Sequence, residues 1–185
     1  MSTRPLAGLG ILVTRPAHQA ENLARLIREA GGRPILFPVL EIVDVPELGP
    51  LLALIDRLST FDLAIFISPN AVAKAMNLIT ARGGLPPGLT VAAVGQGSAR
   101  ALRERGVASV LVPSGRFDSE ALLALPEMAQ MEGKRVVIFR GEGGREHLAE
   151  VLRQRGAQVE YAECYRRSRP HADNTLLLHL WARNE

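Results

Sequence analysis

Cysteine is nearly absent from this chain: Cys164 is the only one in 185 residues. An intrachain disulfide and a thiolate metal cluster are thereby excluded, and a reducing cytoplasm is the natural setting. Aromatic residues make up only 4% of the sequence, which leaves no platform for stacking bases and argues against a nucleic-acid partner. A dominant charge sign is also missing. The net formal charge is +3, too small to demand nucleic acid, although arginines gathered in one place would suit a small polyanion. No apolar run approaches the roughly 18 residues of a membrane span, and the start from Met1 to Leu6 lacks the apolar segment of a secretory signal. His18, His147, His171 and His179 show no ligand spacing, so no metal is expected and they read as solvated surface histidines. With 47% hydrophobic and 22% charged residues, the chain is core-forming rather than disordered.

What is present is a repeat. Gly8 to Ile42 lies over Gly133 to Arg167, without a gap, at a constant offset of 125 residues. Gly8/Gly133, Arg15/Arg140, Glu21/Glu146, Leu23/Leu148, Ala24/Ala149, Arg28/Arg153 and Gly31/Gly156 are identical pairs. Each copy reads as strand, Arg-bearing turn, amphipathic helix, glycine stop and second strand. A repeat of this size constrains the architecture more than any local motif does. Two copies of a β-α-β unit predict two similar α/β lobes, and two lobes predict a cleft.

In the first copy, Ile11 to Thr14 is a strand halted by Pro16, and Leu23, Leu26, Ile27 and Ala30 follow at helical spacing before Gly31-Gly32. Pro34 to Val43 predicts one further strand. Pro46, Gly49 and Pro50 mark a linker, and Leu51 to Leu58 a helix. Strands are then expected at Leu63–Ile67, Thr90–Val94, Ser109–Val112, Arg135–Phe139 and Gln158–Tyr165, the last alternating enough to be an edge. Helical patterns at 71–80, 98–105, 119–129 and 145–155 separate them. Apolar strands alternating with helices argue for a parallel sheet covered on both faces. The expected division is residues 1–43 as the start of one lobe, 44–61 as linker and helix, and 62–168 as a complete flavodoxin-like lobe. Residues 169–185 form a return segment with a short helix at Leu176–Leu180.

Ligands of open parallel sheets bind beyond the carboxyl ends of the strands. That rule selects the turns at Thr14-Arg15-Pro16, Ser68-Pro69-Asn70, Gly95-Gln96-Gly97-Ser98, Pro113-Ser114-Gly115 and Arg140 to Gly144, together with Tyr165 and Arg166-Arg167. Most are small or hydroxyl-bearing and open a helix, where free N–H groups favour anions, and arginine adds a fork suited to carboxylate. Plainer readings stand beside these. Ser68 and Ser98 are equally well N-caps, and Tyr165 could be a packed edge-strand aromatic. Gly95-x-Gly97 meets Arg100 where a dinucleotide site wants glycine, and Gly141 to Gly144 lacks the Lys-Ser/Thr of a P-loop. Arg103, Arg105, Arg153 and Arg155 suit solvated helix ends, and Cys164 suits a core rather than a nucleophile.

These residues resemble the uroporphyrinogen-III synthase family. The likeness runs through Leu12 to Pro16, Phe66 to Val72, Val94 to Ala99, Arg140-Gly141 and Tyr165-Arg166, and Phe66 to Val72 with the duplicated unit is its most specific part. The resemblance implies two flavodoxin-like lobes, one inserted in the other, with the active site in the cleft between them. It also implies that further outer-lobe strands follow Glu185, so the chain looks C-terminally truncated, its outer lobe incomplete and its own activity little or none. The implied reaction is cyclisation of hydroxymethylbilane with inversion of ring D and loss of water, in heme biosynthesis, without cofactor or metal. Tyr165 matches a tyrosine implicated in the family and is the implied catalytic residue. Arg15, Ser68, Asn70, Gln96, Ser98, Ser114, Arg140 and Tyr165 are the implied substrate contacts, Ser98 standing where threonine is common. A full-length monomer is expected. The competing expectations are a non-enzymatic flavodoxin- or receiver-like binding module, and a fragment that self-associates by lending residues 1–43. A receiver would need a phosphoacceptor Asp after Leu63–Ile67, and a flavodoxin more aromatics.

Overall fold

A computed structural model describes residues 4–170 and 174–182; His171 lies outside the described residues. The chain divides into two compact units, Met1–Val43 with Arg167–Glu185, and Asp44–Arg166.

The first unit is built on β1 (Gly10–Val13), α1 (Ala17–Glu29) and β2 (Arg33–Leu36). The two strands pair in parallel from Gly10↔Arg33 to Val13↔Leu36. Gly31 ends α1 with φ +87°, a conformation natural to glycine. The buried stripe of α1 is Ala20, Ala24 and Ile27, with Ala20 and Ile27 clustered with Val13, while Leu23 and Leu26 remain 37% and 47% exposed. The expected leucine face is therefore rotated: small alanines let the helix lie close to a sheet of only two strands. The single strand expected at 34–43 is interrupted at Pro38, which has no N–H for the ladder. Phe37 and Val39 still donate to Val13 and Thr14, and a separate β3 (Glu41–Val43) follows. The unit also includes α7 (Thr175–Ala182), with Leu178 and Trp181 exposed.

The second unit begins with α2 (Gly49–Asp56) and a 3₁₀ turn at Leu58–Thr60. It continues through β4 (Leu63–Phe66), α3 (Pro69–Thr80), β5 (Thr90–Ala93), α4 (Gln96–Arg103), α5 (Ser119–Leu123), β6 (Arg135–Gly141), α6 (His147–Gln154) and β7 (Gln158–Ser168). Within this unit the strand order is β7-β6-β4-β5, and β4/β5, β4/β6 and β6/β7 are parallel. All four residues of β4 are buried, and Phe66 stacks on Phe139 with ring centroids 4.6 Å apart. Layers on both faces explain why these strands are apolar throughout.

The strand expected at Ser109–Val112 reduces to one bridge, Ala92↔Leu111. Leu111 donates to Val91 and accepts from Ala93. The next rung would need an N–H from residue 113, which is proline. Because β4 is already flanked by β5 and β6, Leu111 lies on the outer side of β5. A flavodoxin-like order would set that segment beside β4 instead, so the parallel α/β class stands and the flavodoxin order does not. The helix expected over 119–129 stops at Leu123, because Pro126 opens a separate 3₁₀ turn, Pro126–Met128.

The repeat is a duplication in space as well as in sequence. β6/β7 pairs Arg135↔Gln158 through Ile138↔Tyr161, each partner 125 residues beyond its counterpart in β1/β2. Gly8 and Gly133, with φ +78° and +70°, and Gly31 and Gly156, with φ +87° and +91°, keep the same backbone conformation.

Candidate functional site

The chain leaves β4 towards β5 on one side and later returns to β6 on the other. The carboxyl ends of β4 and β6 thus form a topological switch point, where open α/β sheets leave a crevice. β4 ends into Ser68, which caps α3. Ser68 Oγ accepts from the Ala71 N–H at 3.1 Å, and Pro69 occupies the first helical turn, where its missing donor costs nothing. Tyr165, on β7, is 1% exposed, and its hydroxyl lies 3.0 Å from Ser68 Oγ. The phenol reaches Ser68 by crossing the end of β6 at Gly141, where an added Cβ would lie 2.6 Å from Tyr165 Cε2.

Among the residues singled out from the sequence, Ser68 and Tyr165 are thus in direct contact, and Asn70 is half-buried in the first turn of α3. Gln96 opens α4 and is exposed. The α4 start lies beside that of α3: a Cβ on Gly97 would come within 3.4 Å of Pro69. Ser98 is not a cap, since Gly95 holds that position; it is 3% exposed inside the first turn. Ser114 is exposed in the turn after Leu111. Arg15 belongs to the first unit, exposed after β1, and donates to Gln19 Oε1 at 3.3 Å.

Arg140 is 3% exposed and bonded within the protein. It donates to Gly141 O at 3.2 Å and to Glu146 Oε1 at 3.0 Å, and its guanidinium lies 4.4 Å from the Tyr161 ring centroid. Tyr161 donates to the other oxygen of Glu146. The phenol first, and Arg140 second, hold the Glu146 carboxyl below its ordinary range. Burial, then the Glu146 hydrogen bond, raises the Tyr161 phenol. This network fastens the glycine loop 142–146 to β6 and β7, a role sequence reasoning missed. The Glu21/Glu146 identity in the repeat was its one visible sign. Gly141 was also missed, because a glycine in a glycine-rich turn carries no mark of what crosses it. Arg116, at the next turn, pairs with Asp118 at 2.7 Å.

A groove of about 550 Å³ in the second unit is lined by residues including Pro46, Leu51, Leu54, Tyr161 and the acids Glu47, Glu142 and Glu163. Three carboxylates make it a poor host for an anion. Among the described residues, no group of three or more acids, cysteines or histidines could hold a metal ion, and no helix is long and apolar enough to cross a membrane.

The family described as uroporphyrinogen-III synthase HemD matches residues 21–185. The uroporphyrinogen-III synthase of Salmonella typhimurium is 41% identical over 89% of this chain and 68% of its own length. That of Proteus mirabilis is 39% identical over 86% of this chain and 80% of its own, and that of Escherichia coli is 35% identical over 96% and 72%. A crystal structure of a mutant uroporphyrinogen III synthase from the extremely thermophilic bacterium Thermus thermophilus superposes with TM-score 0.66, covering 96% of this chain and 70% of that one at 22% identity. That likeness establishes the fold and agrees with the sequence relatives. The chain belongs to the uroporphyrinogen-III synthase family.

Proposed function

We propose that the protein closes hydroxymethylbilane to uroporphyrinogen III at the switch point of the second unit, with Tyr165 as proton donor. The observation that carries this reading is the Tyr165–Ser68 contact of 3.0 Å at the start of α3. In the scheme, Tyr165 gives its proton to the hydroxyl that leaves the hydroxymethyl carbon. The C–O bond breaks, water departs, and a protonated, cationic azafulvene remains. Ring closure through a spiro intermediate inverts ring D. The proton lost from the final pyrrole carbon returns to the phenolate, so the net change is loss of one water. Ser68, anchored as a cap, orients the phenol. Positioned proton transfer of this kind contributes roughly 10²- to 10⁴-fold.

The substrate is a flexible polycarboxylate, and holding it in one fold supplies much of the remaining acceleration. The adjacent starts of α3 and α4, with Asn70 and Gln96, offer N–H and amide groups to carboxylates. Ser114, exposed, is a further contact in this reading. Arg140 is assigned a different part, holding the 142–146 loop. No metal or cofactor enters the scheme. The setting is read as cytoplasmic, supported by the single, buried cysteine.

The test is chromatographic. The protein is given freshly made hydroxymethylbilane, and the porphyrins are separated by isomer after oxidation. Enrichment of type III over the type I product of spontaneous closure is expected; type I alone would refute the assignment.

A further inference from the structure

We infer that Gly141 is a positioning residue for Tyr165: the side chain it lacks leaves the seat on which the phenol ring lies, and that seat aims the hydroxyl at Ser68. This rests on the reading of Tyr165 as proton donor.

The ladder between β6 and β7 steps from Arg140↔Glu163 to Gly141↔Tyr165. Cys164 is therefore an extra residue, a β-bulge. In a regular ladder the sides alternate, and Tyr165 would share the face of Val159, Tyr161 and Glu163. The bulge changes the phase, so that Cys164 and Tyr165 are both buried, each 1% exposed. Bulges near sites act in this way, re-aiming one side chain.

The re-aimed ring then has to pass the end of β6. A Cβ at Gly141 would lie 2.6, 2.7 and 3.1 Å from Tyr165 Cε2, Cζ and Cδ2. Carbon atoms rest at roughly 3.5–4.0 Å, so even alanine would displace the ring by about 1 Å. The backbone cannot absorb this cheaply. Glu142 N–H donates to the Tyr165 carbonyl at 2.7 Å, and Arg140 Nε donates to the Gly141 carbonyl at 3.2 Å. The hydroxyl must move instead, and a shift of about 1 Å at a reacting group can cost on the order of 10²-fold in rate.

The chain has only two tyrosines, Tyr161 and Tyr165, so tyrosine labelled with ¹³C at the ζ carbon gives two signals, assigned through Tyr161→Phe and Tyr165→Phe. Gly141→Ala should move the Tyr165 signal in the way Ser68→Ala does and lower kcat on the order of 10²-fold, with much less change in KM. In a Tyr165→Phe background, Gly141→Ala should lower kcat no further. An unmoved Tyr165 signal, or an equal loss in the Tyr165→Phe background, overturns the inference. Should Gly141→Ala fail to fold, Gly141→Ala/Tyr165→Leu, which removes the ring, should fold as well as Tyr165→Leu alone; failure to do so also overturns it. Full activity in Tyr165→Phe by itself would refute the proton-donor reading and leave the signal test of the seat unaffected.

Discussion

Arg15 and Arg140 hold equivalent places in the duplicated unit, yet one is exposed and the other is 3% exposed beneath a glycine loop. The difference lies in the length of the turn after each arginine. Pro16 starts α1 at once, at Ala17, whereas Gly141 to Gly144 delays α6 until His147. The longer turn folds back over Arg140, and Glu146 neutralises it. Residue identity alone therefore did not define role. The same holds for Tyr165, whose hydroxyl has a defined partner. Tyr165→Phe keeps the ring and removes the proton, so kcat for type III product should fall roughly 10²-fold or more with KM nearly unchanged. Steady-state kinetics beside a melting curve would check this; a preserved Tm with unaltered kcat contradicts it. Cys164, one residue away, is the opposite case. Burial pushes its thiol up to about 12, so at pH 8 it should resist a disulfide reagent in the native protein and react promptly in denaturant.

At the scale of elements, Ser68 does two jobs: it caps α3 and contacts Tyr165. Ser68→Ala should cost about 1 kcal/mol through the lost cap, read as a lower midpoint in urea with an unchanged slope. The kcat loss should exceed what partial unfolding explains, since Ser68→Asp, which can cap, should recover stability but not rate. Much of this level was legible beforehand. The repeat located β1, β2, β6 and β7, and their registers match pair for pair because the two copies share the glycines that set the turns. Ser68-Pro69 announced the start of α3 through cap and proline chemistry. Other features were hidden. Pro38 and Pro113 each removed a single N–H, enough to split one strand and to reduce another to a bridge. Ala20 and Ala24 displaced leucines from the buried stripe, because the closeness of packing is a tertiary property. The bulge at Cys164 exists only as a mismatch between two strands, so no pattern within β7 reveals it. Without the bulge, Tyr165 could be placed on the strand but not turned towards Ser68.

For the molecule as a whole, the charges and buried groups of the second unit predict an asymmetric dependence of stability on pH. Asp62 is held below its ordinary 3.8, first by the Arg135 N–H, and Glu160 below its ordinary 4.5, first by hydrogen bonding to Arg57. Groups depressed in the folded state contribute above their unfolded values and lose that contribution as pH falls through the folded ones. Both carboxylates are well exposed, with side chains 44% and 39% accessible. Screening keeps each contribution small, and the acid limb, beginning below about pH 4.5, should be shallow. Cys164 works in the other direction. Its folded value is raised from 9.0 to about 12 by burial, so its contribution is complete below pH 9 and is lost as pH rises towards 12. That rise corresponds to about 4 kcal/mol at the far end, at about 1.4 kcal/mol per pH unit, as an upper order of magnitude. Tyr161 is shifted upward too and adds to the same limb. Melting temperatures from pH 3 to 11 should therefore fall gently on the acid side and more steeply above pH 9. Cys164→Ala, which cannot ionise, should flatten the alkaline limb while leaving part of it to Tyr161. An alkaline limb of the same slope in Cys164→Ala would show that ionisation of the thiol in the unfolded chain does not govern stability there.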